Sequence, residues 1–358
     1  MAFYLNPAVR RDGLFTGLFD DDEYRAVGAY YASQRDVTPT PLRRATVLSA
    51  ALGLARLDVK DESHRFGLPA FKITGARYAA HRLGRDVASG LVCATAGNHG
   101  RAVAHVAKQH GVPCTIFVPA ARHVDDAERA TRDRRIGGMK EDGATVVEVD
   151  GSYEDAVRRA AGHGVSTGAT IMSDVSWPGY ETIPRWIMAG YTRLFEEAAA
   201  QWEQVPDVVL VQGGVGGLVC AAASWLAHGF GAARPWLIAC EPDGAACLLE
   251  SARAGAPVTL AGELRTIMAG LRCAAPSPVA WPAIAEGVDA FVSVPDTLAL
   301  DAMQRLHAEN PSIAAGPSGA CGVAALLALA RAPELEPLRL ACGWDRSTRV
   351  LTIVTEGP

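Results

Sequence analysis

The stretch Asp207–His228, DVVLVQGGVGGLVCAAASWLAH, carries the reading of the fold. Its first six residues, Asp207–Gln212, are almost all apolar, as a strand covered by helices on both faces requires. Four glycines fall in the next five positions, Gly213-Gly214-Val215-Gly216-Gly217, and a helix-spaced apolar run follows from Leu218. A strand that feeds a glycine-rich turn and a helix start presents unpaired backbone N–H groups and the positive end of a helix dipole. Such a loop lets the backbone wrap closely round a phosphate-sized anion. No Gly-Lys-Ser/Thr follows, so it is not a Walker loop, and its spacing misses G-x-G-x-x-G. A nicotinamide oxidoreductase is the weakest contender, because no acidic ribose partner follows a second strand about 20 residues on.

Outward from this stretch the same pattern repeats. Trp236–Glu241, Ala290–Pro295 and Val350–Thr355 form one set of near-continuous apolar runs with Asp207–Gln212. Leu91–Thr95, Cys114–Pro119, Thr145–Asp150 and Thr170–Asp174 form another. Helix-spaced segments such as Arg101–Gln109 and Leu218–His228 alternate with them, and a long helical stretch, Pro184–Gln204, separates the two sets. The expected class is α/β, with two lobes of open twisted sheet covered by helices; a cleft between lobes is a usual ligand site.

Composition agrees. The 358 residues are 49% hydrophobic and 20% charged, enough apolar material for buried cores, and about two domains' worth of chain. The net charge of −5 argues against a nucleic-acid partner held by phosphate neutralisation. The longest apolar stretch, Leu218–Ala227, is about half the roughly 20 residues of a membrane span, so no membrane is expected. Met1–Arg10 lacks the pattern of a signal peptide. The eight cysteines are scattered without a C-x-x-C pair, which reads as reduced core thiols in a cytoplasmic protein and gives no metal site. The acidic run Asp20–Glu23 reads as the solvated first turn of a helix, and the basic run Thr131–Arg135 as a solvated helix face.

Lys72 stands in an apolar and small-residue setting within Lys60–Tyr78, KDESHRFGLPAFKITGARY. An isolated lysine there reads as a side chain snorkelling from a helix end. Two further features change that reading. Desolvation of the ammonium would lower its pKa toward nucleophilic use. Leu91–Thr95 also runs into Ala96-Gly97-Asn98-His99-Gly100 and a helix start, a second anion nest suited to a substrate carboxylate. A lysine nucleophile, a carboxylate nest and a phosphate nest are what a cofactor with an aldehyde and a phosphate needs, and pyridoxal 5′-phosphate fits that set.

The segments AFKITGAR (Ala70–Arg77), TAGNHGRAVA (Thr95–Ala104), QGGVGGL (Gln212–Leu218) and VTEG (Val354–Gly357) together resemble the pyridoxal-phosphate-dependent enzymes of the tryptophan-synthase β fold, fold type II. Within that group KDESHRFGLPAFK (Lys60–Lys72), SDVSWPGY (Ser173–Tyr180), GLRC (Gly270–Cys273) and GPSGACG (Gly316–Gly322) are most similar to the diaminopropionate ammonia-lyase family. The resemblance implies a large cofactor-binding domain, 1–86 with 197–358, and a small substrate-side domain, 87–196. It implies that Lys72 holds the cofactor as a Schiff base and that Asn98 lies beside the ring hydroxyl. Gly213, Gly214, Val215, Gly216 and Gly217 would hold the phosphate, and Thr355 would face the pyridine nitrogen with a neutral hydroxyl. Thr95, Ala96, Gly97, Asn98 and His99 would bind the substrate carboxylate, and Asp174, or the released Lys72 amine, would remove the α-proton of an L-amino acid.

The family has an aspartate at the position of Ala96, associated with the D-isomer, so loss of D-isomer activity or another β-substituted substrate is expected. The chain also stops at Pro358, where the lyase family would be expected to continue. The implied reaction is β-elimination from an L-amino acid such as L-2,3-diaminopropionate, giving pyruvate and ammonia, in a homodimer. Serine or threonine dehydration, β-replacement as in cysteine synthases and a non-catalytic binding module are the competing readings. Partial burial beside Trp177 is expected to bring the Asp174 pKa toward working pH, and a helix N-cap is its alternative role. Arg65 and Arg272 are candidates for a second acidic group on a substrate, and His64 and His99 are candidates for catalytic roles ranked below Asp174.

Overall fold

The computed structural model describes residues 1–35, 37–120 and 126–358, except for the side chains of 126–128. Among the described residues the strands are β1 (Ala2–Leu5), β2 (Leu42–Arg44), β3 (Arg56–Asp61), β4 (Leu91–Ala94), β5 (Cys114–Pro119), β6 (Thr145–Val149), β7 (Thr170–Ile171), β8 (Val208–Gln212), β9 (Trp236–Pro242), β10 (Ala290–Val294) and β11 (Arg349–Val354). They form a seven-stranded sheet in the order β1-β10-β9-β8-β11-β3-β2 and a four-stranded sheet in the order β6-β5-β4-β7. The chain separates into two compact units, Met1–Phe71 with Tyr191–Pro358, and Lys72–Gly190. The helix Lys72–Leu83 therefore sits with the second unit, where it packs on the helix Asn98–His110. The sequence had assigned 72–86 to the larger domain and 191–196 to the smaller.

In the first unit β8 to β11 are parallel and buried along their length, apart from Trp236 at the start of β9 and Arg349 at the start of β11, which explains their continuous apolar character. Only the edge strands β1 and β2 pair antiparallel. The order reverses at β8, with β9 on one side and β11 on the other. The loops at the carboxyl ends of β8 and β11 therefore adjoin, and ligands bind at such a switch point in open α/β sheets. Helix Gly217–Phe230 leaves β8 through the glycine turn and is buried over most of its circumference.

The second unit repeats the device. All four strands are parallel, and the order reverses at β4, with β5 on one side and β7 on the other. The residues following β4 and those following β7 are thus neighbours. β7 is shorter than the five residues read from the sequence: its pairing with β4 ends at Val92–Ile171, and Met172 N–H closes the ladder on the Val92 carbonyl at 2.8 Å. Asp174 consequently lies on a loop. It is not a helix N-cap, because the next helix begins at Thr182.

The acidic run is a helix start. Asp20 Oδ1 accepts the Glu23 N–H at 2.8 Å and caps the helix Asp21–Ser33. Thr131–Arg135 lies within the helix Asp126–Glu141. Among the described residues no helix is long and apolar enough to cross a membrane.

Candidate active site

Lys72 opens its helix, and its Nζ donates to Asp174 Oδ2 at 2.7 Å, with about a fifth of each side chain exposed (23% and 16%). The loop that presents Asp174 is fixed by Tyr180. Its hydroxyl donates to the Ile171 carbonyl at 2.9 Å and accepts the Ser173 N–H at 2.9 Å, while its ring stacks on Trp177 with centroids 4.1 Å apart. Backbone hydrogen bonds between Trp177 and Tyr180 close the turn round Pro178-Gly179. The motif SDVSWPGY was visible in the sequence, but the clasp made by Tyr180 was not, because it depends on where β7 stops.

His99 lies in the first turn of the helix Asn98–His110 and is buried. Its Nε2 is 2.8 Å from the Met172 carbonyl oxygen. A carbonyl only accepts, so Nε2 carries the hydrogen and, in the neutral ring, Nδ1 is bare. Nδ1 makes no hydrogen bond and points toward Asp174 Oδ2 at 3.8 Å. Burial pushes the imidazole pKa below its ordinary value; Asp174 opposes this and Lys72 adds to it.

Burial by itself would raise the Asp174 pKa, as the sequence led us to expect. The neighbouring His99 and the charge and hydrogen bond of Lys72 outweigh it, and the carboxyl is held well below the usual carboxylate range. Paired in this way Asp174 is a weak base. The expectation of a pKa near working pH fails while the ammonium is in place.

Thr95, Ala96, Gly97, Asn98 and His99, expected from the sequence to hold a carboxylate, form the link between β4 and its helix. Gly97 is the N-cap, and its N–H is already taken by Thr95 Oγ1 at 3.0 Å. The chain narrows here for packing as well: a Cβ on Gly100 would come within 2.9 Å of Thr95 Cγ2.

In the first unit the Gly213–Gly217 loop joins β8 to its helix. Gly213 donates its N–H to the Cys240 carbonyl at 2.7 Å, which takes it out of the set of phosphate donors expected from the sequence. Gly214, Val215, Gly216 and Gly217 remain at the helix entrance, where the first N–H groups have no intrahelical partner. Gly216 has φ +92°, and a Cβ there would lie 2.4 Å from Ile284 Cδ1, so neither the backbone nor the packing admits a side chain. Glu241 lies behind the loop, with Cγ 3.1 Å from where a Cβ on Gly213 would be. Thr355 follows β11 directly; it is buried, and its carbonyl accepts the N–H of Phe71, the residue before Lys72, at 3.2 Å.

The other candidates separate clearly. Arg65 is fully buried and spends its guanidinium on Glu62 and Glu197 at 2.7–3.0 Å, so it cannot grip a substrate acid. His64 is exposed on the turn beside it. Arg272 Nη2 donates to the Thr266 carbonyl at 2.6 Å. All eight cysteines are free thiols, and among the described residues no three His, Cys, Asp or Glu side chains gather as a metal site would need.

Comparison with known proteins adds kinship to this geometry. The profile of the family described as pyridoxal-phosphate dependent enzyme matches residues 34–355. The diaminopropionate ammonia-lyase of Salmonella typhimurium is 33% identical over 96% of this chain and 91% of its own length. The crystal structure of the Escherichia coli diaminopropionate ammonia-lyase, in complex with an aminoacrylate-PLP azomethine reaction intermediate, superposes with a TM-score of 0.88 at 30% identity, covering 99% of this chain and 93% of that one. The biosynthetic L-threonine dehydratase of Mycobacterium tuberculosis (strain H37Rv) is 31% identical over 81% of this chain, but over only 64% of its own length.

Proposed function

The chain belongs to the pyridoxal-phosphate-dependent enzymes and has their type II fold, and from that premise we propose that it is an ammonia-lyase acting on a β-amino-substituted L-amino acid, with L-2,3-diaminopropionate the first choice. Kinship with diaminopropionate ammonia-lyases over nearly the whole chain supports this. The observation that carries it is the Lys72–Asp174 pair at 2.7 Å.

The residues present fit the cofactor. Lys72 offers the amine, and the Gly214–Gly217 helix entrance offers backbone N–H groups for a phosphate, with no room for a side chain at Gly216. Asn98 and Thr355 are assigned to the ring hydroxyl and the ring nitrogen. Pyridoxal phosphate supplies an aldehyde that condenses with amines and a ring that takes up the electron pair left when a Cα proton departs.

The chain's own groups handle the protons. Lys72 must lose one before its amine is nucleophilic, and Asp174 Oδ2 accepts at 2.7 Å. Once the Lys72 nitrogen no longer carries charge, a main influence depressing the Asp174 pKa is removed. Burial then pulls that pKa upward and makes the carboxylate a stronger base for the α-proton. The Thr95–His99 nest orients the substrate carboxylate. Departure of the β-amino group as ammonia and hydrolysis of the remainder give pyruvate and a second ammonia. At position 96 there is a methyl group and no carboxylate, so the D-isomer has no base on that side.

The test supplies L- and D-diaminopropionate, L-serine and L-threonine singly and measures pyruvate or 2-oxobutyrate. Turnover of the L-diamine alone is the expected result. Asp174→Asn is expected to lower kcat by about 10²–10⁴-fold, the usual worth of a positioned general base; an unchanged rate would remove Asp174 from the reaction. Preferential turnover of threonine or serine would move the enzyme to the dehydratases, the reading that the threonine dehydratase relative favours. On the same kinship we assign a homodimer, measurable as twice the 37.6 kDa chain mass by light scattering. The absence of any paired cysteine among the described residues supports a cytoplasmic location.

A further inference from the structure

We infer that His99 Nδ1 is the second seat of the proton handled by Asp174, so that the two residues hold one proton between them. The geometry leads there by elimination. Nε2–H is committed to the Met172 carbonyl at 2.8 Å, which leaves Nδ1 as a buried acceptor with no hydrogen-bond partner, 3.8 Å from Asp174 Oδ2. While the ammonium is in place Asp174 Oδ2 accepts from Lys72; once that hydrogen bond is lost, two acceptors face each other, an arrangement that a proton on either one turns from repulsion into a hydrogen bond. Closing to hydrogen-bond distance takes a movement of about 0.6–1 Å.

Among the described residues the other titratable groups around Asp174 are already committed. Lys72, from the helix Lys72–Leu83, is the cation whose charge the pair must replace. Cys93 on β4 keeps its proton, because burial and the adjoining Cys114 and Asp174 push its thiol pKa well up. Tyr180 spends its hydroxyl on Ile171 and Ser173. When the Lys72 nitrogen is uncharged and Asp174 has taken a proton, the Asp174 O–H bond breaks as the Nδ1–H bond forms. The electron pair stays on the carboxylate, Nε2–H is untouched, and the result is an imidazolium–carboxylate pair. Asp174 is thereby restored as a base while the proton remains in the site for return.

This rests on Asp174 as the proton acceptor proposed above, yet its test needs neither cofactor nor substrate, so the two can fail separately. Cofactor-free protein with ¹⁵N-labelled histidine is titrated by NMR, with the His99 signals identified by their loss in His99→Gln. In the wild-type protein the Lys72 ammonium occupies Asp174, and His99 is expected to stay neutral, with its hydrogen on Nε2, between about pH 5 and 8. In Lys72→Ala, and in the length-preserving Lys72→Met should the alanine variant not fold, the His99 midpoint is expected to rise by about one pKa unit or more. Adding Asp174→Asn to either variant is expected to abolish the rise. A midpoint that does not move when the ammonium is removed, or a rise that survives Asp174→Asn, would overturn the inference.

Discussion

Three buried carboxyl groups meet different fates, and the neighbours decide each one. Burial opposes ionisation at Asp174, Glu197 and Glu241 alike. Asp174 has Lys72, and Glu197 has Arg65 and Lys60, so both are driven below the ordinary range, Glu197 to about 2. Glu241 has no cation beside it among the described residues. Its oxygens accept the Leu248 and Leu249 N–H groups at 2.8 Å each, which does not offset burial, and its pKa is pushed up to about 8. The folded protein thus holds a proton on Glu241 that the unfolded chain releases near pH ~4.3. The associated stability is complete below that value and is lost as pH rises through about 8. The melting temperature of the cofactor-free protein is expected to fall between about pH 5 and 8 and to fall less in Glu241→Gln. Equal slopes for the two proteins would show that Glu241 is ionised throughout.

At the scale of the element, β3 shows how charge can build a buried strand. Lys60, buried on β3 next to the edge strand β2, donates to the Thr40 carbonyl at 2.7 Å and to Glu197 Oε2 at 3.0 Å. Arg65, on the two-residue turn that follows, bonds Glu62 and the same Glu197. Glu197 reaches them from the helix Thr182–Ala199, so one carboxylate ties that helix to β3 and to the turn. Glu197→Gln would leave two buried cations short of a counter-charge. It is expected to cost about 3–5 kcal/mol in denaturant unfolding, a loss that a merely superficial ion pair would not produce. This network also explains what the sequence hid. β8 to β11 were legible because apolar runs mark strands buried on both faces, whereas RLDVKD, with four charged residues in six, reads as surface. The short edge strands β1 and β2 carry too few residues for any periodicity. Of the site, Lys72, the Thr95–His99 nest and the glycine loop were legible as strand–turn–helix grammar. Asp174 was legible only through resemblance. The Tyr180 clasp, the bare face of His99 and the prior commitment of the Gly213 N–H follow from where strands end, which no local pattern records.

Across the whole molecule each unit encloses its own core, one built on β8 to β11 with the helix Cys321–Arg331, the other on β4 to β6 with the helix Tyr153–Thr167. Neither the cores nor the overall charge attract the cofactor. The chain carries −5, and a phosphate monoester carries about −1.5 to −2 at neutral pH, so at long range the two repel. Between Gln212 and Leu218 there is no lysine or arginine, so if the glycine loop holds the phosphate as proposed, the attraction there would come from backbone N–H groups and a helix end, which fades within about one turn. Salt should therefore act on the approach more than on the grip. Between about 0.01 and 0.1 M salt the screening length shrinks from about 30 to 10 Å, long enough at the outset to span the protein and short enough at the end to hide it. The association rate of pyridoxal phosphate with the cofactor-free protein, followed by absorbance after rapid mixing, is expected to rise over that range. A rate that falls with salt would mean that cations near the glycine loop steer the anion in, and that the binding field is set by side chains and not by the backbone.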